Sequence, residues 1–335
     1  MSSNLSTPVS MEFYAGKKTL VTGGAGFLAS HVIEALRLRG ARVRAVDARP
    51  KREEFPGEVE YVCADLMQRS ACEQVLDSVD FVFHLAAVGW GLHENMKRQP
   101  QLLTDNLLMN TTLLDAANRA GVQRYLYTSS SAVYPAYLEH LEEDAPWDQP
   151  PHASELAFGW AKRMGEVQAK IYYRHYGMAI AIVRPSNPYG PRDNFDPDKS
   201  HVIPALIRRA VAQERPFVVW GTGRVVRSFI HASDVARGML LALERYAVGE
   251  PINLASNETT SIADLVTLVL ELSDYPDANL QFDTSKPDGH PRKVPSVQRA
   301  AEKLGMGSYI PLREGLKDTI DWYRKHSHRL QPARP

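Results

Sequence analysis

Lys18-Thr19-Leu20-Val21-Thr22-Gly23-Gly24-Ala25-Gly26-Phe27-Leu28-Ala29 is a β-prone apolar run that breaks into glycines and resumes as the start of a helix. Glycines let a backbone turn tightly and come close to a pyrophosphate, and a helix N-terminus favours that anion through its free N–H groups and dipole. Strand, turn and a helix predicted over about 28–39 make Gly23, Gly26, Phe27 and Leu28 candidates for holding a dinucleotide. The spacing is Gly-x-x-Gly-x-x-Ala, with small Ala29 in place of the usual last glycine. Asp47 ends the next predicted strand, Val43–Asp47, where a carboxylate binds both ribose hydroxyls and repels a 2′-phosphate. That favours NAD over NADP, although Arg49, Lys51 and Arg52 follow closely and would tolerate the extra phosphate.

Outward from this unit the pattern repeats. Strands are predicted at Val59–Val62, Phe81–Leu85, Arg124–Ser129 and Ala179–Arg184, and helices over about 100–120 and 155–175. The alternation predicts an α/β fold with a doubly wound parallel (Rossmann) sheet. Beyond 190 it lapses; Arg227–Ile230 and a helix near 233–245 read as a return to the sheet. The expected division is an NAD-binding domain over 13–194 and 225–254. A smaller, discontinuous C-terminal substrate-binding cap takes 195–224 and 255–326, and flexible tails cover 1–12 and 327–335.

Composition excludes several classes. Lys+Arg and Asp+Glu both total 39 in 335 residues, so no global field points to nucleic acid. Cys63 and Cys72 are the only cysteines, which suits a reducing cytoplasm and offers no metal-ligand cluster. No apolar run approaches the roughly 18–20 residues of a membrane span, and the polar start lacks a signal-peptide core. The expectation is a cytoplasmic protein with neither a metal nor a membrane partner.

The chain resembles the extended short-chain dehydrogenases/reductases that act on nucleotide sugars. The resemblance rests on Thr22–Phe27, Asp65-Leu66, Leu85-Ala86-Ala87, Thr128–Tyr134 and Arg184–Pro191. It implies that Asp65 and Leu66 meet the adenine, and that Leu85, Ala86, Ala87, Ser129 and Pro185 line the cofactor. Ser130 would hydrogen-bond the reacting sugar oxygen, with Ser131 helping, and Lys162 would grip the nicotinamide ribose. The second half is similar to the GDP-fucose synthase branch, through Tyr189–Pro197, Ser200–Arg209, Trp220–Gly223 and Ser285–Lys293. By that likeness Asn187 and Arg209 would contact the diphosphate of a nucleotide-diphosphate sugar, with Arg227 and Lys286 nearby. His201 and Val202 would face the sugar, and Trp220 would stack on the base or fill the cap. The helices over 104–120 and 155–175 would form a homodimer face through Leu107, Leu108, Leu113, Ile171 and Tyr172.

Three positions depart from the pattern. Phe158, in Ala157-Phe158-Gly159-Trp160-Ala161-Lys162, stands where the family carries its acid/base tyrosine, one helical turn before the lysine. Ala132 matches the cysteine of the branch's Cys/His pair, so inversion at two carbons is not expected. Ser131 and Ala132 after Ser130 also lack the acid of a 4,6-dehydratase. What remains is an NAD-dependent nucleotide-sugar epimerase that oxidises a sugar hydroxyl transiently to a ketone, with Ser130, Phe158, Lys162 and His201 at its centre. Phe158 then reads as a tyrosine replaced so as to stall turnover. The alternatives are a nucleotide-sugar 4-reductase or dehydrogenase, an acid relocated to Tyr134, Tyr137 or His201, and a catalytically dead sensor of NAD and sugar.

Overall fold

The computed structural model describes residues 8–51, 55–89, 92–197, 199–286, 288 and 290–330; Arg52, Trp90, Gly91 and the outermost parts of both expected tails lie outside these. Its strands are β1 (Lys18–Thr22), β2 (Arg42–Asp47), β3 (Glu60–Cys63), β4 (Phe81–His84), β5 (Arg124–Thr128), β6 (Ala179–Pro185) and β7 (Val248–Leu254). Every neighbouring pair is parallel, in the order β7-β6-β5-β4-β1-β2-β3. Both faces of such a sheet must be covered, so its inner strands are buried along nearly their whole length rather than at alternate positions. Val82 and Phe83 are adjacent and fully buried, yet belong to different cores on opposite faces.

The main helices are α1 (Phe27–Arg37), α2 (Arg69–Val75), α3 (Gln99–Arg119), α4 (Leu156–Tyr176), α5 (Val202–Val211), α6 (Ala232–Arg245), α7 (Ile262–Leu272) and α8 (Leu312–Leu330). Helices α1 and α6 pack on one face of the sheet, and α2, α3 and α4 on the other. A third core joins α5, α7 and α8 with Phe217 and Phe229. Strand order reverses between β1 and β4, and at such a switch point ligands bind beyond the carboxyl ends of the strands.

Two expectations need correction. The return to the sheet is β7, not Arg227–Ile230. Val226–Ser228 instead joins a small sheet with Thr259–Ser261, Arg292–Pro295 and His140–Leu141, and Ile230-His231 pairs with Pro188-Tyr189. Both tails are also shorter than expected: α8 continues through residues 327–330, and the N-terminus docks from Val9. Val9 is buried, the Ser10 N–H donates to Glu244 at 3.0 Å, and the Tyr14 hydroxyl donates to the Leu240 carbonyl at 2.6 Å. Apolar burial against α6 draws residues 9–12 onto the fold.

Candidate active site

The glycine turn is shaped by what no side chain allows there. Gly23 has φ +67°, and a Cβ on it would stand 3.0 Å from the Ala86 Cα; one on Gly26 would stand 2.8 Å from the Gly23 carbonyl oxygen. Helix α1 begins at Phe27 with no side-chain cap, so its first N–H groups, Phe27 and Leu28 among them, are left for an anion. A buried Asp47 accepts from the Ala25 N–H at 3.1 Å and takes the Arg49 guanidinium on both oxygens at 2.9 Å. Burial pushes the Asp47 carboxyl up, but hydrogen bonds from Arg49 and its charge hold it below the usual range. Asp65 accepts from the Met67 N–H at 3.0 Å and is half-buried, while the Leu66 side chain lies in the core, so only its backbone can meet a base. This cradle fits a dinucleotide with an adenosine ribose at Asp47 and a pyrophosphate at α1.

Across the switch point lies a cleft of about 500 Å³ lined by Ala87, Val88, Gly89, Ser130, Ser131, Phe158, Pro185, Asn187, His201 and Val202. It brings together the expected wall of the cofactor site, the serines and the departure at 158. Ser130 caps the short 3-10 turn Ser131–Val133; its Oγ accepts from the Ala132 N–H at 3.1 Å. The Phe158 ring sits 5.4 Å from the Lys162 Nζ. Lys162 is buried behind that ring, outside the cleft lining, because α4 packs tightly: a Cβ on Gly159 would meet the Ala132 carbonyl at 2.6 Å, and one on Gly165 would meet the Tyr127 hydroxyl at 2.1 Å. Its Nζ donates to the Thr128 carbonyl at 2.7 Å, and burial brings its pKa down to about 8 against the opposing charge of Glu166.

His201 precedes α5 with 72% of its side chain exposed, and its Nδ1 faces the buried Asp193 carboxylate at 3.8 Å. The hydrogen bond and charge of Asp193 raise its pKa above the usual histidine value. A second cavity of about 210 Å³ is lined by Trp220, Arg227 and Asp288 and shares Asn187, Val202 and Phe229 with the cleft. Asn187, which lines both cavities, is held by its amide donating to the Ser228 carbonyl at 2.9 Å. A larger groove of about 700 Å³ is lined by Lys18, Arg42 and Glu60, the first residues of β1, β2 and β3. It therefore lies at the amino ends of the strands, opposite the site.

Several expected residues are placed otherwise. The Ser129 hydroxyl donates its proton to buried Glu166 at 2.5 Å and lies outside the cleft lining. Arg209 is bound to Glu214 and the Val218 carbonyl and stands outside both cavity linings. Lys286 lies over Trp220, its Nζ 5.8 Å from the ring centroid, rather than in a cavity wall. Tyr134 donates to Asn253, accepts from Arg184 and is fully buried outside the cleft lining, away from where a relocated acid would stand. Tyr137 donates to Asp148 on the surface, outside the cleft lining. Glu155, Asn194 and Lys199 also line the cleft and escaped sequence reasoning; Glu155, three residues before Phe158, carried a helical-spacing signal.

Residues 19–255 match the family described as the NAD dependent epimerase/dehydratase family. A dTDP-4-dehydro-6-deoxy-D-allose reductase of Streptomyces sp is 32% identical over 326 residues, which cover 93% of this chain and 98% of that protein. A probable GDP-L-fucose synthase 1 of Oryza sativa subsp. japonica is 34% identical over 249 residues, 72% of this chain and 75% of its own. Among solved structures, the UDP-glucose 4-epimerase of Thermotoga maritima with UDP-glucose superposes with a TM-score of 0.83 at 26% identity, covering 92% of this chain and 99% of that one. Glycine turn, switch-point cleft and sequence likeness converge, and the chain belongs to the NAD dependent epimerase/dehydratase family.

Proposed function

We propose that the chain binds NAD between the Gly23 turn and the Leu85–Ala87 wall, binds a nucleotide-diphosphate sugar across the two cavities, and epimerises that sugar through transient oxidation at one carbon. Gly23, Gly26, Phe27, Leu28, Asp47 and Lys162 would hold the cofactor, which when bound takes or gives a hydride. Asp47 supports NAD; a 2′-phosphate there would meet a carboxylate, although Arg49 is at hand to soften the conflict. Arg227 and Trp220 would take the nucleotide. Ser130 accepts a backbone N–H, which leaves its own proton to donate to the sugar oxygen. Lys162 spends one N–H on Thr128 and keeps two for ribose hydroxyls.

The observation that carries this reading is Phe158, wedged between Lys162 and the cleft where the proton carrier of the reaction is needed. Its ring fills the place and transfers nothing, so this chain turns over slowly. A second reading, reduction of a keto-sugar, draws on Ala132 and His201. Buried Ala132 carries no proton, which leaves His201, backed by Asp193, as one acid beside the cleft. One acid suits protonation of a ketone better than inversion at two carbons. We also propose a homodimer through the exposed outer faces of α3 and α4.

The test compares the chain with Phe158→Tyr, each incubated with NAD and GDP-, UDP-, CDP- and dTDP-sugars. Reduced-nicotinamide absorbance and the stereochemistry of the recovered sugar are followed. Activity that appears or rises sharply with Tyr supports the epimerase reading. Equal activity in both places the acid elsewhere, His201 first. Binding without turnover in either leaves a sensor and overturns the enzyme reading.

A further inference from the structure

His84 ends β4 with 1% exposure and stands outside both cavity linings. Its hydrogen bonds nevertheless join the two walls of the cofactor cleft. The Thr22 Oγ1 accepts from the Leu85 N–H at 3.0 Å and from the Ala86 N–H at 2.9 Å. Both its lone pairs are thus filled, and its single proton can only go to the His84 Nδ1, 2.8 Å away. A bare Nδ1 puts the ring proton on Nε2, which donates to the Asn110 Oδ1 at 2.9 Å. The Asn110 amide donates to the Tyr127 hydroxyl at 3.2 Å, and that hydroxyl reaches the Lys162 carbonyl at 3.4 Å. One turn earlier on α3, Asn106 clamps Val88 through both its N–H and its carbonyl, at 3.0 and 2.9 Å.

We propose that His84 is a positioning residue of the cofactor cleft: fixed as the Nε2–H tautomer, its ring locks the Leu85–Ala87 wall to the turn of α4 that carries Lys162. The role rests on NAD occupying that cleft. Ala86 lies so close to Gly23 that no side chain fits between them, so the position of this loop sets the width of the cradle. A protonated ring would present an N–H to Thr22, whose lone pairs are already used, and the chain of bonds would break at its first link. Burial and the Lys162 charge both hold the ring neutral, its pKa lowered to about 3. The other titratable groups facing it are Tyr125 and Tyr127, with ring centroids 6.1 and 6.2 Å away, and burial keeps both phenols protonated.

The test uses the full chain, His84→Gln, His84→Leu and Val82→Ala, the last a packing control on the same strand. NAD and UDP binding are measured by calorimetry beside thermal midpoints. Long-range proton–nitrogen NMR on histidine-labelled wild type reads the tautomer. NAD binding is expected to weaken by about tenfold or more in His84→Leu, beyond any loss in Val82→Ala at a comparable midpoint. UDP binding should be unmoved, and His84→Gln, whose amide still reaches Asn110, should recover part of the loss. The NMR should show a bare Nδ1 and a protonated Nε2 from about pH 5 to about pH 8. An Nδ1–H tautomer, or NAD loss no larger than in Val82→Ala, overturns the role; if His84→Leu does not fold, His84→Gln and the NMR decide. Wild-type chain that takes up no NAD overturns the cofactor reading and this role together.

Discussion

Phe158 and a tyrosine differ by one oxygen, so exchanging them changes proton chemistry while leaving the ring over Lys162 in place. General acid/base groups contribute about 10²–10⁴ in rate, and Phe158→Tyr is expected to raise kcat by an amount in that range with KM little changed. A rise in KM of similar size would mean the ring had been repacked instead. Lys162 gives a second test through pH. Its native pKa of about 8 lies below the roughly 10.4 of an unfolded lysine. Between those values the unfolded chain holds a proton that the native chain has shed, so stability should rise with pH across that window. Below about pH 8 both states are protonated and the burial penalty is constant. Urea midpoints of the chain and of Lys162→Met, compared from about pH 7 to pH 10.5, should therefore shift in favour of the chain; a difference that stays flat would contradict the buried ammonium. Spaced motifs singled out Ser130, Phe158 and His201, which the fold brings to one cleft, and Lys162, which it sets against the Phe158 ring. The capture of Ser129 by Glu166 and of Arg209 by Glu214 was not legible in sequence, since it depends on which partner a side chain meets once folded.

At the scale of elements, α4 and β6 are joined by a buried ion pair: Arg184 binds both Glu166 oxygens at 2.8 and 2.7 Å, with side-chain exposures of 2% and 0%. Arg184 also donates to Tyr134 and the Glu143 carbonyl, and Tyr134 reaches Asn253 on β7. Removing one member of such a pair leaves an uncompensated buried charge. Glu166→Ala is expected to cost about 3–5 kcal/mol, whereas Glu166→Leu with Arg184→Met should cost far less. Equilibrium urea unfolding of the singles and the double decides this, and additive losses would show that the pair is not coupled. The same network explains why β7 was missed. Val248-Gly249-Glu250-Pro251 reads as a turn, with Gly249 at φ +72° and a register shift between Val248 and Pro251. Asn253 overrides that local signal by donating its backbone N–H to Glu143 at 2.9 Å and its amide to the Leu141 carbonyl at 2.8 Å. The β-strands flanking the glycine turn needed no such help, and their apolar runs were plain in the sequence.

For the whole molecule, the outer layer of helices leaves apolar side chains in solvent. Helices α3 and α4 pack against each other, and their outward faces leave Leu108 47%, Trp160 40%, Met164 42% and Ile171 48% exposed. Positions 160, 164 and 171 fall on one stripe of α4. Of the residues expected there from sequence, Leu113 is buried in the chain's own core, Tyr172 packs against it and Leu107 is half-buried, so Leu108 and Ile171 are the exposed ones. A large exposed apolar patch is a mark of an interaction surface, and a stripe on two neighbouring helices suits a second copy related by twofold symmetry, where each helix pair meets its own mirror in sequence. The balanced net charge adds no long-range repulsion between copies. The chain is therefore expected to sediment as a dimer at micromolar concentration, and Met164→Glu with Ile171→Glu to sediment as a monomer with its fold intact. The cleft lies at the carboxyl ends of the strands, away from this stripe, so the monomeric variant should keep its NAD affinity. A wild-type monomer would leave the stripe without the partner proposed for it, and a double variant that still dimerises would move the interface to another face.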